Sequence, residues 1–352
     1  MKIKTFKIIL IIIAVVSVTM WLFCASIQRY LDRTGIKEIA EEFEENFNPG
    51  NPETLRNYID TFDFKKNTIP LETNNITISK FQNKKVASIV GKNITAELLS
   101  FPSHVTVPEK QDSARFFLFR KSKISNNKVI LWIPGKGISN FAFRFIKKQF
   151  YIELEHGYNI LLYIPPYHMS RKTEKSPETF FTSNVHHNLL LYTECIRELR
   201  TVYEYLKNQN VTDVSGWGGS MGASMLCNLT NIEKFEHICI MIPVLDWKTL
   251  TYNNKYTEKV IVKYKEAGFD QKLLKDAYNL ISPINYSLNI SQQNVQIQYA
   301  KYDQLTPEKV TIKFAEKNKI KNIKGYYKSH ATILLSGKLF KDYSNFLDSI
   351  SH

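Results

Sequence analysis

Ser220 stands at the centre of Gly218-Gly-Ser-Met-Gly222, a Gly-x-Ser-x-Gly pentapeptide. That spacing marks a nucleophile elbow, a sharp strand-to-helix turn that presents a serine hydroxyl. Glycine is needed two positions to either side because a side chain there would strike the neighbouring strand or helix. A serine alone is a weak nucleophile, so the chemistry requires a base to take its proton and an acid to orient that base. The chain supplies both downstream, acid first and histidine second, the order used with such an elbow. Asp303 lies in Lys301-Tyr-Asp-Gln-Leu-Thr-Pro307, just after the alternating stretch Val295–Ala300. His330 follows Ile323-Lys-Gly-Tyr-Tyr-Lys-Ser329 and precedes Ala331-Thr-Ile-Leu-Leu335, read as the start of a terminal helix.

The reaction also needs two fixed donors for the oxyanion of a tetrahedral intermediate. One is expected from the backbone N–H of Met221, the residue after the nucleophile. The other is expected from the loop Pro134-Gly135-Lys136-Gly137, which ends the strand pattern Val129–Ile133, with Lys136 or a neighbour as the donor.

These residues have plainer alternatives. Ser220 could occupy an ordinary glycine-rich turn, and Asp303 could serve the helix that Thr306-Pro-Glu-Lys309 opens. Asp246, after the strand pattern Ile238–Ile242, is a rival acid. Of the remaining histidines, His104, His156, His168, His186, His187, His237 and His352, none follows a late strand after the acid. His186 and His187 begin a helix pattern over 185–208, and metal binding there would need further ligands at a recognisable spacing, so no metal site is expected.

The elements that must hold these residues alternate between strand and helix patterns. With the Pro134–Gly137 loop, the Ser220 elbow, the Asp303 loop and His330, the chain resembles the α/β-hydrolase superfamily over about residues 85–350. The resemblance implies an α/β-hydrolase fold: a mostly parallel eight-stranded sheet flanked by helices, acting on esters without a cofactor. The loop reads Pro-Gly-Lys-Gly where many esterases carry His-Gly, which leaves the second donor open. A finer likeness lies in Pro165-Pro-Tyr-His-Met-Ser-Arg171, similar to a Pro-Tyr-Tyr-Gly-x-Arg-x-Pro segment of the α/β-hydrolase domain-containing protein eighteen family, which is linked to membranes and lipids. Pro166, Tyr167 and Arg171 match, whereas His168 and Ser170 depart from that segment. On this reading Tyr167, His168 and Arg171 are candidate substrate contacts, Arg171 and His168 for an anionic head group.

Residues 248–293 separate the sixth strand from the acid-bearing one and carry a helix pattern around 256–277, the position of a cap over the site. Its aromatics Tyr252, Tyr256 and Tyr264 are expected to shape an acyl pocket.

Ahead of the hydrolase region, Ile8–Ile27 carries no charge and is long enough to cross a bilayer core of about 30 Å. Residues 1–28 are read as a transmembrane signal-anchor, with a cleaved signal peptide as the rival reading. Lys2, Lys4, Lys7 and the free terminal amine before the run slightly outweigh Arg29, Arg33 and Lys37 after it. The amino terminus is therefore expected in the cytoplasm and the hydrolase domain, 85–352, on the other side. Within the connecting segment 29–84, Ile36, Ala40, Phe43 and Phe47 share a helix face opposite Glu38, Glu41, Glu42, Glu44 and Glu45, a helix that either docks on the core or acts as a spacer. Asn48-Pro-Gly-Asn-Pro52 ends it.

The 352 residues suit one large α/β domain plus this extension, and the net charge of +14 is spread over scattered lysines without a nucleic-acid motif. A basic face suits an anionic membrane surface instead. Four cysteines scattered through apolar patterns read as buried thiols, not a disulfide framework. The expected function is a membrane-anchored serine hydrolase acting on a carboxylic, lipid acyl ester. A peptidase or thioesterase of the same fold, or a non-catalytic membrane scaffold, is the alternative; the oligomeric state is left open.

Overall fold

A computed structural model describes residues 2–80, 94–107, 110–121, 127–136, 143–171, 180–252 and 257–350, with the side chains of 2–23, 106–107, 110–111, 143–145 and 251–252 excepted. Nine strands form one sheet: β1 (Thr77–Lys80), β2 (Ile94–Val107), β3 (Lys110–Lys121), β4 (Lys128–Ile133), β5 (Asn159–Ile164), β6 (Asp213–Gly219), β7 (Ile238–Met241), β8 (Val295–Ala300) and β9 (Ile323–Tyr326). They are ordered β1-β2-β3-β5-β4-β6-β7-β8-β9. The first three run antiparallel, β3 pairs antiparallel with β5, and from β5 onward every pairing is parallel.

The sheet thus has nine strands where eight were expected. The extra one, β1, comes from the segment read as a linker and pairs Thr77–Lys80 with Ser100–Glu97 of β2. All four of its residues are exposed, so it carries no alternation of buried and polar positions that would mark a strand in the sequence.

The central strands β4, β5 and β7 are apolar along nearly their whole length because helices cover both faces. In β4, Leu131 and Ile133 pack with Leu199 and Met225 on one face, while Ile130 and Trp132 pack with Phe150 and Phe346 on the other. Trp132 and Trp217 are register partners on β4 and β6 and stack at 3.9 Å between centroids, which fixes the strand that ends at the elbow. Cys195, Cys227 and Cys239 are buried and free, whereas Cys24 is free and exposed in the helix Lys2–Glu45, so the reading of four buried thiols holds for three.

Helix α1 (Lys2–Glu45) is continuous. Its later half docks on the core, burying Ala25, Asp32, Ile36 and Ala40, so this segment is a packed part of the domain and not a spacer. Among the described residues, no helix is long and apolar enough to cross a membrane. Most of the run Ile8–Ile27 has its side chains outside the described residues, and the anchor expectation falls there.

Candidate active site

The elbow is built by a steric contest. Strand β6 must turn into helix 221–229 within one residue, and Ser220 takes that residue with φ 52° and ψ −114°. A non-glycine residue pays of order 1–3 kcal/mol for such a conformation. It is held there by Ser220 N–H donating to the Met241 carbonyl at 2.8 Å and by the Ser220 carbonyl accepting from Val244 N–H at 3.2 Å. A β-carbon on Gly218 would stand 2.7 Å from Ala223 Cα, and one on Gly222 would stand 2.0 Å from the Ile133 oxygen. Only hydrogen fits at either position.

The sheet then brings the distant parts together. The loop after β8 carries Asp303 and the loop after β9 carries His330, and these strands are parallel neighbours ending on the side of the elbow. His330 Nε2 lies 3.0 Å from Ser220 Oγ, and His330 Nδ1 lies 2.8 Å from Asp303 Oδ2. A carboxylate can only accept, so Nδ1 carries the proton, which leaves the Nε2 lone pair to accept the serine hydroxyl. Asp303 is itself held by four donors. Its Oδ1 accepts the N–H groups of Leu305 and Thr306 at 2.8 and 2.7 Å, and Oδ2 accepts the Thr306 hydroxyl at 2.6 Å beside the imidazole. Burial disfavours a charged imidazole, but the charge and hydrogen bond of Asp303, with the charge of Asp32, outweigh it and raise the His330 pKa.

The rival acid is engaged elsewhere. Asp246 Oδ1 accepts Thr249 N–H at 3.2 Å and Oδ2 its hydroxyl at 2.6 Å, so it caps the short helix 247–252. His330 opens a 3-10 turn, 330–335, and the terminal helix begins only at Gly337.

Gly135 packs against Ser220: a β-carbon there would lie 3.0 Å from Ser220 Cβ. This places the Pro134–Lys136 segment beside the serine. Gly137, the last residue of that loop in the sequence reading, lies outside the described residues.

The three candidate substrate contacts in 165–171 are interior. Arg171 donates from Nε to Asp112 at 2.6 Å and from both terminal nitrogens to Glu198 at 2.8 Å, with a further bond to the Ile164 carbonyl. Its side chain is 0% exposed, so the guanidinium serves an internal ion cluster and reaches no substrate. Tyr167 is buried in the core with φ 61°, and His168 is buried with Nδ1 2.7 Å from the Pro166 carbonyl. Tyr264 is likewise core, packed edge-on to Phe47, and the side chains of Tyr252 and Tyr256 lie outside the described residues. Among the described residues no group of three His, Cys, Asp or Glu side chains is placed to hold a metal ion.

A small apolar cavity of about 90 Å³ opens beside the site. It is walled by Ile36 and Phe43 of α1 and by Trp247 and Val260 of the region between β7 and β8, and it reaches Lys136 and Leu305 of the loops that carry Gly135 and Asp303. Sequence reasoning missed Gln28 and Asp32 on α1, which bond to the histidine loop. The available signal was a carboxylate on the same helix face as Ile36 and Ala40.

No protein-family model matches the chain, and no curated protein matches it. Solved structures do. Acetyl xylan esterase 1 from Thermoanaerobacterium sp. JW/SL YS485 aligns with a TM-score of 0.58 at 12% identity, over 91% of this chain and 98% of that one. The acylaminoacyl peptidase of Pyrococcus horikoshii aligns with a TM-score of 0.50 at 14% identity, over 73% of this chain and 42% of that one. The fold is that of the α/β-hydrolases.

Proposed function

We propose that this protein is a membrane-anchored serine hydrolase that cleaves a carboxylic ester of a lipid acyl chain through an acyl-enzyme on Ser220. The observation that carries the reading is the hydrogen-bonded series Ser220 Oγ, His330, Asp303, closed at 3.0 and 2.8 Å on the correct faces of one imidazole. His330 Nε2 takes the hydroxyl proton as Oγ attacks the carbonyl carbon, and Asp303 stabilises the imidazolium. The oxyanion is received by the N–H of Met221, at the first turn of helix 221–229 where backbone donors have no intrahelical partner, and by a donor of the Lys136 segment. The imidazolium then gives its proton to the leaving alcohol, and a water repeats the sequence to release the acid.

The lipid part of the reading rests on two features. The cavity beside Lys136 and Leu305 is lined mostly by carbon, as an acyl chain requires, and the helices at 247–252, 258–266 and 271–279 act as its cap. The uncharged run Ile8–Ile27 ends next to Gln28, whose side chain bonds to the histidine loop, so an anchor there would set the active site at the bilayer surface.

The test is labelling of the full chain with a fluorophosphonate, with the adduct located by mass spectrometry. Labelling confined to Ser220 and lost in Ser220→Ala is expected, followed by turnover of acyl esters in mixed micelles. A folded protein that takes no label would shift the reading to a non-catalytic scaffold, and preferred turnover of thioesters or peptides would change the substrate class.

A further inference from the structure

Helix α1 reaches across both catalytic loops. Asp32, only 1% exposed, accepts the backbone N–H of Gln304 and that of His330 on Oδ2, each at 3.0 Å, and that of Ala331 on Oδ1 at 3.2 Å. One turn earlier Gln28 Oε1 accepts Ser329 N–H at 3.0 Å and the Thr332 hydroxyl. A buried carboxylate is costly unless its lone pairs are filled, and here three main-chain donors fill them. Two of those donors flank the imidazole and the third belongs to the residue after Asp303. The carboxylate therefore spans the gap between the end of β8 and the end of β9.

We propose that Asp32 is a positioning residue of the active site: it ties the acid loop to the histidine loop, so that the one imidazole meets Asp303 and Ser220 together. This rests on the reading of Ser220 as the nucleophile. The charge matters as well as the bonds. The charged groups facing the ring are Asp303 from the loop after β8 and Asp32 from α1, and both favour the imidazolium that forms when the serine proton is taken. A neutral cap could satisfy the N–H groups but would not supply that field. An amide could not even satisfy them, because both carboxylate oxygens are used as acceptors and an amide offers one.

The experiment compares wild type, Asp32→Asn and Gln28→Ala as full chains in detergent micelles. Two readouts are taken: the rate of fluorophosphonate labelling of Ser220 across acid to alkaline pH, and the NMR titration of the His330 imidazole. In Asp32→Asn, labelling at neutral pH is expected to slow by roughly 10- to 100-fold, the loss typical of a misplaced catalytic group, and His330 is expected to titrate at lower pH. Gln28→Ala removes a bond to the same loop without removing charge and should leave the titration in place. A folded Asp32→Asn protein with wild-type labelling and wild-type titration overturns the proposal. Where Asp32→Asn fails to fold, Asp32→Glu keeps the charge and shifts the clamp by one methylene: slowed labelling with a near wild-type titration supports the positioning role, and unchanged labelling overturns it. Should wild-type Ser220 take no label, the hydrolase reading fails by itself, and the titration in the Asp32 variants still decides this one.

Discussion

Gly222 lies directly under Ile133, so close that a β-carbon on it would stand 2.0 Å from the Ile133 oxygen and 2.5 Å from that of Pro134. The helix after Ser220 is thereby seated on the end of β4, and the loop that continues into Gly135 is brought over that serine. One contact fixes two parts of the site. Because the obstructing atoms are backbone, they cannot swing aside as a side-chain tip would. Gly222→Ala is therefore expected to destabilise the fold by at least about 3 kcal/mol, the upper range for overpacking, measurable as a lower urea midpoint. Gly135→Ala meets Ser220 Cβ at the milder distance of 3.0 Å and should lose more labelling than stability. A Gly222→Ala protein with a wild-type midpoint would mean that the elbow is built otherwise.

The two candidate acids make separable predictions. Asp303 holds the imidazole proton of His330, whereas Asp246 caps helix 247–252 through Thr249. Asp303→Asn presents an amide to Nδ1, which selects the wrong tautomer, and should cost about 10²- to 10⁴-fold in the rate of Ser220 acylation. Asp246→Asn should cost on the order of 1 kcal/mol of stability or less, since asparagine also caps helices, with acylation unchanged. Acylation kinetics and thermal melts on the same preparations separate the two roles. A larger rate loss in the Asp246 variant would reverse the assignment.

Ser220, Asp303 and His330, which the structure brings together, were legible because each sits next to a strong local signal. Ser220 has its glycines, Asp303 follows the six-residue strand Val295–Ala300, and His330 follows β9. The helix at Val185–Asn208 was legible from its apolar period over the same span. What local signals could not give was partnership over long sequence separations. Asp32 is 298 positions from the His330 N–H that it accepts, and in sequence it is one charge among several of both signs on α1. Arg171 was read as a substrate contact for the opposite reason, since a loop arginine looks available to an anion until Asp112 and Glu198 are folded against it. Strand β1 was invisible because none of its residues is buried.

Arg171 gives a stability prediction in place of a binding one. Its guanidinium lies between Asp112 and Glu198, and Glu198 also accepts the hydroxyls of Ser103 and Tyr163 at 2.5 Å. Removing the cation leaves two buried carboxylates facing each other across an apolar gap. Arg171→Met is expected to cost about 3–5 kcal/mol, read from chemical denaturation, and to lower expression accordingly. Among molecules that remain folded, KM for an anionic lipid ester should equal that of wild type. A stable variant with a raised KM would return Arg171 to the substrate site.

Glu153 provides a pH signature that arises outside the candidate site. It is 0% exposed in the helix Phe143–Glu155, with Oε1 accepting Tyr343 O–H at 3.1 Å and Gln149 N–H at 3.4 Å. Burial is the main influence and pushes its pKa up to about 8, only partly opposed by hydrogen bonding from Gln149, Tyr343 and Trp132. In the unfolded chain a glutamate titrates near 4.3. Below that value both states are protonated and the group costs nothing. Between the two values the unfolded chain releases the proton and the folded chain keeps it, so stability falls as pH rises, by as much as about 1.4 kcal/mol per pH unit. The loss levels off once pH passes the folded value, at a total on the order of 5 kcal/mol. His237 works in the opposite direction. Burial, with the charge of Lys128, lowers its pKa to about 3, so it costs stability as pH falls. The raw stability profile therefore mixes both groups, and the informative quantity is the difference between wild type and Glu153→Gln. Glutamine copies the shape of the neutral acid and cannot ionise, so the variant should match wild type at acid pH and gain a few kcal/mol over it near pH 8. Urea midpoints at the two pH values measure this directly. A difference that stays flat with pH would mean that Glu153 ionises in the folded protein as it does in water.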